Sequence, residues 1–285
     1  MKGFLLIELL IASALSLILI LALTTCLTFF IKNYYQQEAM NNFYDQANIM
    51  SKLLQKSLSN AGDLGCQIFQ DPMQIENKTS NPLLTNAGVI IYQIDRDPLP
   101  TFLSSAIKKK LLPHSVILII EGIDAPLFNA RYDQQKKQFQ ILDSTLQKQD
   151  LVLLSNCRNT WLFNLTHFYA QKFTTPFEII NPDMPYYLAK WQTTIWFAMK
   201  NNQKNYGLYR LKLPSEKTPV EIISDVKNFQ ASAVIDGSTI LADASLNWKK
   251  IVLLRLMIGF EKDNLTLQWP LSIVLTRKAQ SWRTL

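Results

Sequence analysis

The chain has 285 residues, 48% of them apolar and 18% charged, with a mean hydropathy of +0.03. That composition excludes a disordered or low-complexity protein and allows one sizeable domain or two small ones. Eight glycines argue against Gly-rich phosphate loops, and three cysteines with two histidines leave little for a metal site. A net charge of +7 does not by itself make a nucleic-acid binder.

Residues 4–31 form an apolar run whose single charge is Glu8. As a helix, at ~1.5 Å per residue, the run spans ~42 Å, more than the ~30 Å hydrocarbon core of a bilayer. It is too long for a cleaved secretory signal, whose apolar stretch is roughly 7–15 residues. Lys2 and Lys32 flank it and say little about orientation. The expectation is a single membrane pass, with the bulk of the chain outside the cytoplasm if the N-terminus stays in, as the cysteines below favour. Glu8 stands out, because an ionisable group at the centre of a membrane helix costs ~2.5–3.5 kcal/mol. It sits four residues beyond Phe4, roughly 6 Å along the axis, where an interfacial carboxylate is cheaper. Taken alone, a tolerated carboxylate and a functional one are equally open.

Met1, Lys2 and Gly3, followed by Phe4, Leu5, Leu6, Ile7, Glu8, Leu9, Leu10 and Ile11, resemble the class III signal of type IV prepilins and type II secretion pseudopilins. In that family a short basic leader ends in Gly, and a membrane prepilin peptidase cuts after it and N-methylates the new first residue. A Glu follows at the fifth mature position. The resemblance implies a leader of residues 1–3, cleavage between Gly3 and Phe4, N-methylation of Phe4 and an assembly charge at Glu8. Leu5 stands where the family usually has Thr or Ser. In a bundle shielded from water, the freed Phe4 amine and the Glu8 carboxylate of an adjacent subunit would compensate each other.

No Gly or Pro interrupts residues 4–61. Beyond Lys32 the pattern is amphipathic: Ala39, Phe43, Ala47, Met50, Leu54 and Leu58 recur at helical spacing, and Gly62 and Gly65 supply the stop. The reading is a membrane and filament-core helix over 4–31 that continues as an amphipathic helix over 32–62, or two helices hinged near Lys32.

From residue 63 onward the signals are mostly β. Segments 88–94, 115–120 and 151–154 read as buried strands. Segments 186–199 and 206–213 read as one hairpin, and 251–260 and 265–275 as a second, with Asp263 and Asn264 at its turn. Cys66 and Cys157 favour export, because a disulfide between them would form in an oxidising compartment; two buried free thiols are the alternative. Cys26, inside the apolar run, reads as a small apolar residue.

Here the resemblance narrows. Residues 53–66, ending in Ala61, Gly62, Asp63, Leu64, Gly65 and Cys66, look like the end of the long helix in PilW-type minor pilins. Asp150, Leu151, Val152, Leu153, Leu154, Ser155, Asn156 and Cys157 resemble their second cysteine strand, with Gln149 in place of the usual Gly. Tyr186, Tyr187 and Leu188, then Gly207, Leu208, Tyr209 and Arg210, match the next landmarks. Residues 221–230 resemble the family's Leu-Val-x-Gly-Val-x-x-Met-Gln segment, again without the Gly.

Other chemistry finds little support. His114 and His167 lack partners at metal spacing, and Asp124, Asp143 and Glu178 are scattered. No GxSxG, P-loop or dinucleotide fingerprint occurs. Lys108, Lys109 and Lys110, Lys136 and Lys137, and Lys249 and Lys250 read as solvated loops. Trp191, Trp196, Trp248 and Trp269 read as core.

The sequence thus predicts an α+β fold: a pilin-like lollipop with a long N-terminal helix and a mostly antiparallel β head over 63–285. The resemblance implies a non-enzymatic minor pilin without a cofactor or metal, a subunit of a tip complex that primes type IV pilus assembly and supports twitching motility, adhesion or DNA uptake. Its expected partners are the prepilin peptidase, other minor pilins, the major pilin, a tip adhesin and the inner membrane, and after assembly it would stand at the pilus tip. A J-type minor pseudopilin of a type II secretion system is the alternative. Nucleic acid is not expected as a partner; a pilus-associated DNA receptor rests on net charge alone. An anchored periplasmic enzyme is the most distant alternative.

Overall fold

The computed structural model describes residues 4–62, 75–77, 88–142, 145–156, 159–179, 182–202, 204–235, 237–243, 251–262 and 265–275. The chain divides into two compact units, Met1–Ile49 and Met50–Leu285.

Helix α1 (Phe4–Ser59) is unbroken through Lys32, so the hinge does not occur. Residues 7–31 are all exposed, and the helix is long and apolar enough to cross a membrane. The predicted stripe appears: Phe43, Ala47, Met50, Leu54 and Leu58 are buried, and Ala39 is half-buried. From Met50 onward α1 belongs to the head, where Trp269 Nε1 donates to Ser51 Oγ at 2.9 Å. Gly62 ends the helix with φ 66°, a left-handed conformation that glycine adopts without steric cost.

The head begins with β1 (Ile75–Asn77), β2 (Val89–Gln93) and the short helix α2 (Ser105–Lys108). There follow β3 (Val116–Asp133), β4 (Gln138–Ile141), β5 (Leu151–Ser155) and β6 (Thr160–Asn164). Next come β7 (Phe168–Tyr169), β8 (Lys172–Phe173), β9 (Tyr186–Lys200), β10 (Tyr206–Leu213) and β11 (Val220–Ile223). The chain then forms β12 (Val226–Ile235), β13 (Ser238–Leu241), β14 (Leu253–Lys262) and β15 (Leu265–Val274).

Two long strands organise the larger, 11-stranded sheet. β3 and β9 pair antiparallel from Ile117 opposite Phe197 to Ala130 opposite Tyr186. At one end they are flanked by β2 on β3 and by β10 and then β11 on β9. At the other end β4, β8 and β7 extend from β3, while β5, β6 and β1 extend from β9. A register shift between Asp124 and Phe128 separates the two ends. Each end has its own apolar cluster. Ile117, Ile119, Ile195 and Phe197 pack with Leu103 and Leu111 at the first. At the second, Phe139 stacks on Phe173 at 5.1 Å beside Trp161 and Tyr186.

The second sheet has the order β13, β12, β14, β15. It alternates as a one-sided antiparallel sheet should: Phe229, Ala231, Ala233, Leu254, Leu256, Ile258 and Phe260 are buried, while Arg255 and Met257 point out. Every described pairing is antiparallel except that of β1 with β6.

Both predicted hairpins are present, as β9 with β10 and β14 with β15; Asp263 and Asn264 lie outside the described residues. The strand read at 115–120 is a correction, because β3 runs on to Asp133. Gly122 stays in register opposite Gln192, and the ladder is irregular only between Asp124 and Phe128.

Candidate functional site

The first half of α1 meets the requirements of a dry environment. Its only hydroxyls belong to Ser13, Ser16, Thr24, Thr25 and Thr28, and each donates to a backbone carbonyl three or four residues back. Ser13 Oγ reaches the Leu10 oxygen at 2.9 Å, and Thr25 Oγ1 reaches the oxygens of Leu21 and Ala22 at 3.0 and 2.9 Å. No hydroxyl is therefore carried unsatisfied into an apolar phase. Phe4 is helical and Glu8, one turn later, is exposed. Gly3, Cys66 and Cys157 lie outside the described residues, and Cys26 is a free, exposed cysteine.

The junction between α1 and the head is made backbone to backbone. Ala61 bridges Gly122 of β3, and the Gly62 N–H donates to the Glu121 oxygen at 2.8 Å. A Cβ on residue 122 would overlap the carbonyl oxygen of Asn60, so only glycine admits this approach. Sequence reading missed Gly122; its one signal was an isolated glycine following an apolar strand.

Gln149 has φ 75° and Asp225 has φ 58°. Both lie in the left-handed region, which glycine adopts more easily than other residues. Gln149 is held there because its N–H donates to the Leu165 oxygen at 2.8 Å, while the Leu165 N–H returns to the Asp150 oxygen at 2.8 Å. The Asp150 carboxylate accepts from the Gln147 N–H at 2.8 Å and from Lys190 Nζ at 2.7 Å. Gly207 is sterically required: a Cβ there would come within 2.9 Å of the Ile223 oxygen on β11. Next to it, burial and then a hydrogen bond to Glu221 push the Tyr209 hydroxyl well above the usual tyrosine range.

Because Gln149 is exposed and strained, Gln149→Gly is expected to stabilise the full chain by about 0.5–1 kcal/mol, the left-handed strain relieved minus the entropy glycine adds to the unfolded state. Thermal melting checks it. A lower midpoint would mean that the Gln149 side chain makes a stabilising contact.

The other candidates fall apart in space. His114 is exposed with Nδ1 2.6 Å from Asp95 Oδ2, beside a shallow depression of about 200 Å³, and His167 is exposed elsewhere on the head. Among the described residues no three His, Cys, Asp or Glu side chains converge. Trp191 and Trp196 are core residues, Trp269 is half-buried, and Asp143, Trp248, Lys249 and Lys250 lie outside the described residues.

Comparison with protein-family models, with curated proteins and with solved structures finds no match to this chain.

Proposed function

We propose that the chain is a minor pilin, a non-enzymatic subunit that is cut after Gly3, N-methylated on Phe4 and built into a tip complex that primes type IV pilus assembly. One observation carries the reading: helix α1 is unbroken over Phe4–Ser59, carries Glu8 within its apolar run, and exposes every side chain over residues 7–31. So much apolar surface needs lipid or neighbouring helices around it. A membrane before assembly and a helical bundle afterwards provide both. The glycine-type backbone at Gln149 and Asp225 supports the PilW-type resemblance independently of the N-terminus.

The test is the intact mass of the protein from cells with and without the prepilin peptidase. The expected product begins at methylated Phe4 and appears only when the peptidase is present. Retention of Met1 in both strains would leave a plain membrane anchor. Deletion then assigns the system: loss of pili and twitching fits this proposal, whereas loss of exoprotein secretion with twitching intact would place the subunit in a secretion pseudopilus.

A further inference from the structure

The hydroxyls of α1 change their habit along the helix. Up to Thr28 each one bonds to the helix backbone, and Thr28 Oγ1 reaches the oxygens of Thr24 and Thr25 at 3.0 and 2.9 Å. Among the described residues no hydrogen bond to the protein satisfies the hydroxyl of Tyr34 or Tyr35. Polarity switches over the same stretch. No charge occurs between Leu9 and Ile31, and then come Lys32, Asn33, Gln36, Gln37 and Glu38.

Four rings mark this boundary. Phe29 and Phe30 meet edge to face at 6.2 Å, and Tyr34 and Tyr35 do so at 5.9 Å. Each ring residue is 63–65% exposed, so the protein covers neither pair. Counted from Phe29, at ~100° per residue, the four point roughly 0°, 100°, 140° and 240° around the helix axis. They form a girdle rather than a face.

A girdle selects its occupant. A neighbouring helix touches one side only, and membrane-helix interfaces favour small residues that let backbones approach. A bilayer surrounds the helix. At its surface an aromatic ring buries its body among acyl chains and leaves a polar tip in the headgroups. Distance agrees: from Glu8 to Phe30 the helix rises ~33 Å, close to the ~30 Å of a hydrocarbon core.

We propose that Phe29, Phe30, Tyr34 and Tyr35, with Lys32 among them, bind the phospholipid headgroup layer at the C-terminal end of the apolar run and set the depth of α1. The tyrosine hydroxyls donate to lipid ester and phosphate oxygens, and the Lys32 ammonium meets the phosphates. Glu8 then stands at the opposite boundary, within reach of water, and loses that water only when helices pack. The inference rests on the membrane half of the function proposed above, and holds for a plain anchor as well as for a pilin.

The test is solid-state NMR of the full chain in phosphatidylcholine bilayers, which reads residue by residue whether magnetisation arrives from acyl chains or from water. Acyl contact is expected over the run up to Thr28, with the change to water falling within residues 29–35. Tyr34→Leu with Tyr35→Leu should move that change toward Glu38 by about one turn, ~5 Å, because the apolar run then extends through residue 35. Tyr34→Trp with Tyr35→Trp should leave it in place. Because the rings are exposed, both double variants should melt as the parent does. A change outside 29–35 in a helix that still inserts, or one that the Leu pair does not move, overturns the girdle and leaves the membrane reading standing. Absence of acyl contact throughout α1 overturns both. Loss of lipid contact at the four rings as protein is concentrated in the bilayer would overturn the girdle in favour of a neighbouring helix.

Discussion

Gly122→Ala is expected to cost the head about 3 kcal/mol, the upper end of what overpacking costs in a core. The methyl would collide with the Asn60 carbonyl oxygen and approach the Asn60 carbonyl carbon to 2.9 Å, and both are backbone atoms. Asn60 cannot retreat without pulling on the Ala61–Gly122 bridge and on the Gly62 N–H bond to Glu121. In a unit of this size, 3 kcal/mol lowers the melting midpoint by roughly 6–12 °C. Gly259→Ala provides the comparison, because there the new methyl would meet the side chains of Asn228 and Gln268, which can rotate away. Thermal melts of the full chain in detergent read both. Equal, small shifts would mean that the end of α1 is not seated on β3.

What was legible in the sequence follows from the range of the forces involved. α1 could be read because an apolar run and then a helical stripe proceed for 58 residues without Gly or Pro. The β9–β10 and β14–β15 hairpins could be read because their partners are neighbours in the chain. β3 could not be read beyond its first half. Gly122, Asp124 and Pro126 carry turn chemistry, and only the pairing with β9 overrules it. β7 and β8, two residues each, are too short for period alone to reveal.

The backbone conformations teach a finer lesson. Gln149 and Asp225 take a left-handed backbone because ladder bonds and side-chain bonds around each turn hold it. A non-glycine in the left-handed region carries strain, and surrounding structure must over-determine it. At Asp225 the short acidic side chain eases this by accepting from Asn205 Nδ2. Identity at such positions is therefore less informative than φ.

Glu8→Ala is expected to leave cleavage after Gly3 and the amount of membrane-inserted protein unchanged, while subunit uptake into the filament falls on the order of a hundredfold, as when one partner of a desolvated charge pair is removed. The separation of the two readouts is the substance of the prediction. Removing a carboxylate makes the segment more apolar, so insertion cannot suffer. The hydroxyls of the run already satisfy themselves against the helix backbone, which leaves Glu8 as its one side chain with charge to offer a neighbour. In the proposed pilin, the Phe4 amine freed by cleavage would need that charge when packing helices strip water away. Glu8→Asp, one methylene shorter but still ionised, should restore part of the uptake, and Glu8→Gln should not. Quantitative immunoblots of sheared filaments against whole membranes read the ratio. Full uptake of Glu8→Ala would remove the charge pairing from the account of assembly, even with the N-terminus processed as proposed.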